Sequence, residues 1–206
     1  MADAAWVAQW MRRAQELIEA HHAELTDLDR AIGDGDHGEN MRRGFAAVIA
    51  KLPQAELVSE VLQSVAATLI STVGGAAGPL YGTAFLRASQ VAQVTELTPE
   101  IVVEILKAML QGIQSRGGAQ VGEKTMVDAL VPALQNAEQQ LQQGATLTQL
   151  WHQVAQGAQQ GAAQTIPLQA TKGRASYLGE RSCGHRDPGA QSMAYILAAA
   201  SDVATD

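Results

Sequence analysis

Apolar residues in this chain return every three or four positions, stretch after stretch, and nowhere alternate long enough to make a strand. Trp6, Val7, Trp10, Ala14, Leu17 and Ile18 mark a first amphipathic helix from about Ala4 to Glu24, with His21 and His22 as surface cations at its end. Met41, Phe45, Val48, Ile49 and Leu52 mark a second, starting near Gly38 and stopping at Pro53. A third runs from about Glu56 to Ser71, and Pro79 opens a fourth. Thr98 and Pro99 cap and open a fifth, which carries Ile101, Ile105, Met109 and Ile113 and ends at Arg116-Gly117-Gly118. Thr125 caps a sixth with Met126, Leu130, Leu134 and Leu141, which Pro132 should kink. Leu150, Trp151 and Val154 carry a seventh from about Thr148 to Thr165, where His152 reads as a surface or core residue. Asp187-Pro188 opens the last, with Met193, Ile196, Leu197 and Val203. Eight helices and no strand make the fold all-α, and 206 residues, 1–206, suffice for a single domain with a large core. Only 4% of the residues are aromatic while Ala, Gln, Leu and Val abound, which also favours packed helices.

If successive helices run up and down, the connectors after the first, third, fifth and seventh fall at one end of the assembly. Those connectors are the unusual parts of the sequence. The first spans Leu28 to Asn40 and holds Asp29, Asp34 and Asp36 within eight residues, interleaved with glycines. Like charges so close repel unless a cation offsets them, and hard oxygen ligands on a flexible loop suit Mg²⁺. His37 and Asn40 stand at the start of the second helix, where backbone N–H groups can hold phosphate. The plain reading of the same stretch is a solvated acidic turn. Gly33-Asp34-Gly35-Asp36-His37-Gly38 also fits G-x-G-x-x-G, but the preceding residues are polar rather than an apolar strand, and bare carboxylates would face pyrophosphate. An EF-hand beginning at Asp34 fails at its twelfth position, which is Phe45 instead of Glu.

The second connector places four glycines and two alanines between Gly74 and Gly82, so that backbone can approach a ligand or another helix closely. The third, from Gly117 to Thr125, nearly matches a P-loop, but Glu123 intrudes before Lys124-Thr125 and a helix precedes it, so a Walker motif is rejected. The fourth, residues 170–187, gathers Lys172, Arg174, Arg181 and Arg186 in an otherwise acidic chain. It is too long for an ordinary connector and is a candidate mobile lid over an anion, with a solvated surface loop as the plain alternative.

Composition removes several classes. A net charge of −7 without Lys/Arg clusters argues against nucleic acid. No apolar run reaches the ~20 residues that span a bilayer. The first residues lack a basic stretch followed by an apolar one, and the lone Cys183 permits no intrachain disulfide, so a cytoplasmic setting is expected.

Three segments taken in order then carry a resemblance: Gly33-Asp34-Gly35-Asp36-His37-Gly38-Glu39-Asn40-Met41, the Gly74 to Gly82 loop, and Lys172 to Ser182 followed by Gly184-His185 and Asp187-Pro188-Gly189. Together they resemble the nucleotide-binding domain of dihydroxyacetone kinases, and in particular the stand-alone ADP-binding L-subunit family of the phosphoenolpyruvate-dependent enzyme, over essentially the whole chain. The resemblance implies a closed barrel of eight antiparallel helices with the nucleotide site at one end. It implies that Asp29, Asp34 and Asp36 bind two Mg²⁺ ions bridging the nucleotide phosphates. It implies nucleotide contacts from His37, Gly38, Glu39 and Asn40, from Ala76 and Ala77, from Gly117 and Met126, and from Arg174 with Asp187, Pro188 and Gly189. Ala77 stands where relatives often carry serine, so a backbone N–H or water must replace any contact of that hydroxyl. Arg174 and Lys172 are the catalytic candidates, stabilising charge from the lid side.

In that family ADP/ATP is a retained coenzyme. A phosphoryl carrier (M) subunit regenerates ATP in place, and dihydroxyacetone on a separate K subunit receives the phosphate. Some members also contact a transcription regulator. No substrate-binding histidine motif is visible, in keeping with a substrate held on another polypeptide. Two alternatives stand beside this reading: the nucleotide domain of a ketose kinase using free ATP, and an ADP-loaded interaction protein.

Overall fold

The structure, a computed structural model, describes residues 1–205. Among the described residues eight α-helices follow one another: α1 (Ala4–Ile32), α2 (His37–Ala50), α3 (Val58–Thr72), α4 (Ala77–Val91), α5 (Pro99–Gly117), α6 (Val127–Gln142), α7 (Leu147–Gln164) and α8 (Pro188–Val203). Each packs against the next, and α8 returns to pack against α1, so the ring closes. Extended pairing among the described residues is confined to one isolated bridge between Asp3 and Glu96. Among the described residues no helix is long and apolar enough to cross a membrane.

The caps explain most of the boundaries. Thr98 accepts from the Ile101 N–H with Pro99 in the first turn of α5, and Gly118, at φ 64°, stops that helix in the left-handed region. Asp187 accepts from the Ala190 N–H and Pro188 opens α8. Thr146 and Gln149 form a reciprocal capping box at the start of α7.

Three expectations need correction. α1 does not end near Glu24 but runs to Ile32, because Leu25 and Ile32 continue the buried stripe of Ile18 at helical spacing. His21 and His22 are therefore mid-helix residues, and Asp29 belongs to the last turn of α1 rather than to a loop. α4 opens at Ala77, two residues before Pro79. α6 opens at Val127, where the Asp128 carboxylate accepts the Gly122 (2.5 Å) and Thr125 (2.8 Å) N–H groups, and it runs as one element through Pro132.

Two helix pairs approach closely where glycine removes a side chain. A Cβ on Gly38 would lie 2.0 Å from the His22 carbonyl oxygen, and one on Gly161 would lie 2.1 Å from that of Asp128. The first contact seats α2 on α1, and the second seats α7 on α6.

Inside the ring, Trp6, Trp10, Trp151 and Phe85 form a tilted aromatic cluster with the linked ring centroids 5.3–6.1 Å apart. The Trp10 indole N–H donates to the Ile196 carbonyl (2.7 Å) and that of Trp6 to the Val203 carbonyl (3.1 Å), fastening the α1–α8 seam. Residues 170–187 are not an open loop: Arg174–Ser182 winds into a short 3-10 helix, interrupted at Gly179. The buried Ser182 hydroxyl closes its base, accepting from the Ala170 N–H (2.8 Å) and donating to the Gly179 carbonyl (2.6 Å).

Candidate functional site

Even-numbered helices all begin at the same end of the ring, and their first residues wall a cleft of about 500 Å³. Asp36 and His37 come from α2, Ala76 and Ala77 from α4, Met126 from α6, and Asp187, Pro188 and Gly189 from α8. Four N-terminal helix ends around one cleft favour an anion there. The volume lies within the usual range for small-molecule sites.

One rim of the cleft is acidic. Asp29, Asp34 and Asp36 each offer an oxygen, and these oxygens lie within 4.8 Å of one another. The three groups are held differently. Asp29 is nearly buried at the end of α1, and its Oδ2 accepts the N–H groups of Asp36 (2.9 Å) and His37 (3.1 Å). Burial pushes its carboxyl up; the two N–H groups pull it back, and the charges of Asp34 and Asp36 push it up again. Asp34 and Asp36 are exposed. Gly33 makes the arrangement possible, since a Cβ there would lie 2.2 Å from Asp29 Oδ1. Gly35 turns the chain at φ 76° so that Asp36 can return to Asp29. A trio with two exposed members and crowded oxygens fits a hard divalent cation, which removes the mutual repulsion and keeps positions for other oxygens.

The 170–187 segment brings basic side chains to the same cleft. Arg174 Nη2 lies 3.1 Å from Asp34 Oδ2, and Lys172 Nζ lies 3.9 Å from Glu123 Oε2. Most of the Arg174 side chain is in solvent, so this pair contributes under about 1 kcal/mol and the guanidinium can change partners at little cost.

Behind the lining residue His37 stands a hydrogen-bonded set. His37 Nε2 lies 2.8 Å from the Ser192 hydroxyl, which lies 2.6 Å from the Tyr81 hydroxyl; Tyr81 donates to the Gly189 carbonyl (3.0 Å). Burial lowers the His37 pKa to about 4, so the ring is neutral near pH 7. Asp187 is buried as the cap of α8, and burial raises its carboxyl to about 7 against the pull of the Ala190 N–H and of Lys124. Asn40 Oδ1 accepts from Arg43 and sits where a Cβ on Gly74 would come within 3.0 Å, so Gly74 lets the second connector close over α2.

Of the residues singled out from sequence, the cleft gathers Asp29, Asp34, Asp36, His37, Asn40, Ala76, Ala77, Gly117, Met126, Lys172, Arg174, Asp187, Pro188 and Gly189. Gly38 and Glu39 stand off it. Gly38 is a packing contact with α1, and the exposed Glu39 is engaged by Arg42 through two hydrogen bonds (2.6 and 2.8 Å). Sequence reading missed the apolar wall of Pro79, Leu80, Ile113 and Ala119, and also Arg116 and Lys124. Ile113 is the last apolar residue on the inner stripe of α5, and that position is the signal the sequence offers.

The fold and the cleft define an all-α barrel with a composite site at one end, built from one acidic, one glycine-rich and one cationic connector. The chain belongs to the DAK2 domain family, whose match runs over residues 31–202. It is 46% identical to the PTS-dependent dihydroxyacetone kinase, ADP-binding subunit DhaL, of Lactococcus lactis, over 92% of each chain. It is 42% identical to the PEP-dependent dihydroxyacetone kinase, ADP-binding subunit DhaL, of Escherichia coli, covering 93% of this chain and 92% of that one. Among solved structures it matches the dihydroxyacetone kinase of C. freundii in complex with AMP-PNP and Mg²⁺, with a TM-score of 0.73 and 28% identity. That match covers 96% of this chain and 34% of the kinase, so the chain spans about a third of its length.

Proposed function

We propose that this protein is the nucleotide-carrying subunit of a dihydroxyacetone kinase, holding ADP/ATP as a coenzyme with two Mg²⁺ ions. A phosphoryl carrier subunit would rephosphorylate the nucleotide, with phosphoenolpyruvate as ultimate donor, and a separate K subunit would present dihydroxyacetone. The observation that carries this reading is the meeting of the acidic trio and the basic 170–187 segment, Arg174 against Asp34, at a cleft ringed by four helix starts. The family and the names of the relatives support it.

Bound Mg²⁺ would supply charge neutralisation at the phosphates, which is most of what phosphoryl transfer requires. The chain's own residues do the rest. Asp29, fixed by two backbone donors, anchors the trio; Asp34 and Asp36 complete it from the turn. His37, Asn40 and the backbone at Ala76 and Ala77 hold the phosphate end, and Ala77 brings no hydroxyl. Gly117, Met126, Asp187, Pro188 and Gly189, with the apolar wall of Leu80 and Ile113, take the base and sugar. Arg174 leaves Asp34 for the phosphates, and Lys172 assists from the same side, the segment 170–187 acting as a lid that excludes water. In this reading the subunit works in the cytoplasm, where a transcription regulator is a possible second partner.

The test is the nucleotide in protein purified without additions. Stoichiometric ADP that survives extensive dialysis, and that supports phosphate transfer when K subunit, carrier, phosphoenolpyruvate and dihydroxyacetone are added, is the expected result. A freely exchanging site would instead favour a kinase domain using free ATP. Retained ADP without transfer would favour a nucleotide-loaded interaction protein.

A further inference from the structure

The near-P-loop connector of residues 117–125 carries a lysine with two unusual properties. Lys124 is the one non-glycine residue at positive φ (64°) among the described residues, and its side chain is 1% exposed. Both properties cost free energy, the first through backbone strain and the second through loss of hydration of an ammonium. Something specific must offset them.

The ammonium is spent on main-chain carbonyls. Lys124 Nζ donates to the oxygens of Thr165 (2.5 Å) and His185 and reaches that of Ile166 (3.5 Å), a full set for its three hydrogens. Thr165 and Ile166 are the chain leaving α7, and His185 is the chain about to enter α8. Everything between those points is the segment that bears Lys172 and Arg174. Other bonds join the same two strands of chain: Gly184 N–H to the Ile166 carbonyl (2.7 Å) and Asp187 N–H to the Thr165 hydroxyl (2.9 Å). Next to Lys124, Glu123 accepts from the Thr171 hydroxyl (3.0 Å). The third connector is thus the base on which the fourth is mounted.

We propose that Lys124 is a positioning residue for the 170–187 segment: by bonding the carbonyls of Thr165 and His185 it pins both feet of that segment and sets where Arg174 and Lys172 stand relative to the acidic trio. The consequence for phosphate transfer rests on the proposed kinase reading; the pinning itself does not. Lys124 borders the cleft, yet it does not act as a P-loop lysine does, because its hydrogens are already committed to carbonyls.

The experiment compares wild type with Lys124→Met, which keeps the stem and removes the donors, and with Lys124→Gly, which also relieves the positive φ. Hydrogen exchange on nucleotide-free protein should show the Gly184 and Asp187 amides exchanging at least about tenfold faster in both variants, with the central amides of α1 and α8 unchanged. Mg-ADP dissociation should accelerate by a similar factor. In the transfer assay Lys124→Met added to a variant carrying both Arg174→Ala and Lys172→Ala should be no slower than that variant alone, because the lysine acts through those two side chains. Unchanged exchange at Gly184 and Asp187 alongside faster Mg-ADP release would overturn the proposal in favour of direct phosphate contact. Uniformly faster exchange over all eight helices, or failure of both variants to fold, would overturn it in favour of a general core role. A further additive loss in that combined variant would also overturn it. If wild type holds no Mg-ADP, the kinase reading fails while the exchange comparison still decides the pinning.

Discussion

The two ends of this ring solve opposite problems. Near the first turns of α1 and α7, Trp6, Trp10 and Trp151 pack against one another and Phe85, and two of the indoles also donate to carbonyls of α8. At the other end of α1, roughly 35 Å along the helix from Trp6, three carboxylates crowd together and a buried aspartate caps α8. The aromatic end gains from burial and ring packing, and its cost is the Trp151 indole N–H, buried without a partner among the described residues. The cleft end stores repulsion and desolvation that it recovers only when a cation and an anion arrive. One end holds the fold and the other carries the chemistry, and the helices between them let the stable end support the costly one.

This division can be broken at either end. The largest effect should come from Trp10→Ala, which removes a buried side chain and the donor to Ile196. It should cost about 3–5 kcal/mol of stability in a denaturation curve, while the fraction that remains folded still binds Mg-ADP with unchanged stoichiometry. Asp34→Asn should do the reverse. Phosphate transfer should fall at least about a hundredfold and Mg-dependent nucleotide retention should weaken, while the melting temperature without Mg²⁺ stays the same or rises as repulsion is relieved. A fall in metal-free stability comparable to that of Trp10→Ala would show the trio to be structural. Arg174→Ala should slow transfer by about tenfold to a hundredfold and move the denaturation midpoint hardly at all, since its pair with Asp34 is mostly exposed.

The smallest effect concerns pH. With its pKa raised from 3.8 to about 7, Asp187 keeps a proton in the folded state that the unfolded chain gives up. Its contribution is present below about pH 4 and is lost as pH rises through 7; Asp29, also raised by burial, acts in the same direction. His37, lowered from 6.5 to about 4, opposes them: its contribution is present above pH 6.5 and lost as pH falls towards 4. Asp187→Asn keeps a capping side chain but removes its share of the first slope. Its melting temperature should therefore drop more steeply between pH 7 and pH 4 than that of wild type, and parallel curves would show that the Asp187 carboxyl is not perturbed as described.

The sequence made the helices legible because each buries a stripe at a regular spacing, and made the four connectors legible because glycine and charge interrupt those stripes. It was least legible where one residue serves both. Asp29 lies on the buried face of α1 between Leu25 and Ile32, so a helix ended early at Glu24 hid why this carboxylate is buried while Asp34 and Asp36 are exposed. Gly38 and Glu39 were assigned with their neighbours His37 and Asn40, yet helical geometry turns them towards α1 and solvent. Near-P-loop spacing draws attention to Lys124 but does not reveal its contacts. Its partners are backbone atoms of residues more than forty positions away, and no side-chain pattern encodes them.

The seam between α1 and α8 has a further consequence. The Trp6 indole bonds the Val203 carbonyl, so the first turn of the first helix and the last turn of the eighth are neighbours at the pole remote from the cleft. A tether, an affinity tag or a fused module added at either point emerges on the far side and leaves the mouth clear for docking. The same adjacency makes the ring a candidate for circular permutation: a few residues bridging Val203 to Ala4, with the chain reopened in a polar turn at that pole, should preserve every wall of the cleft.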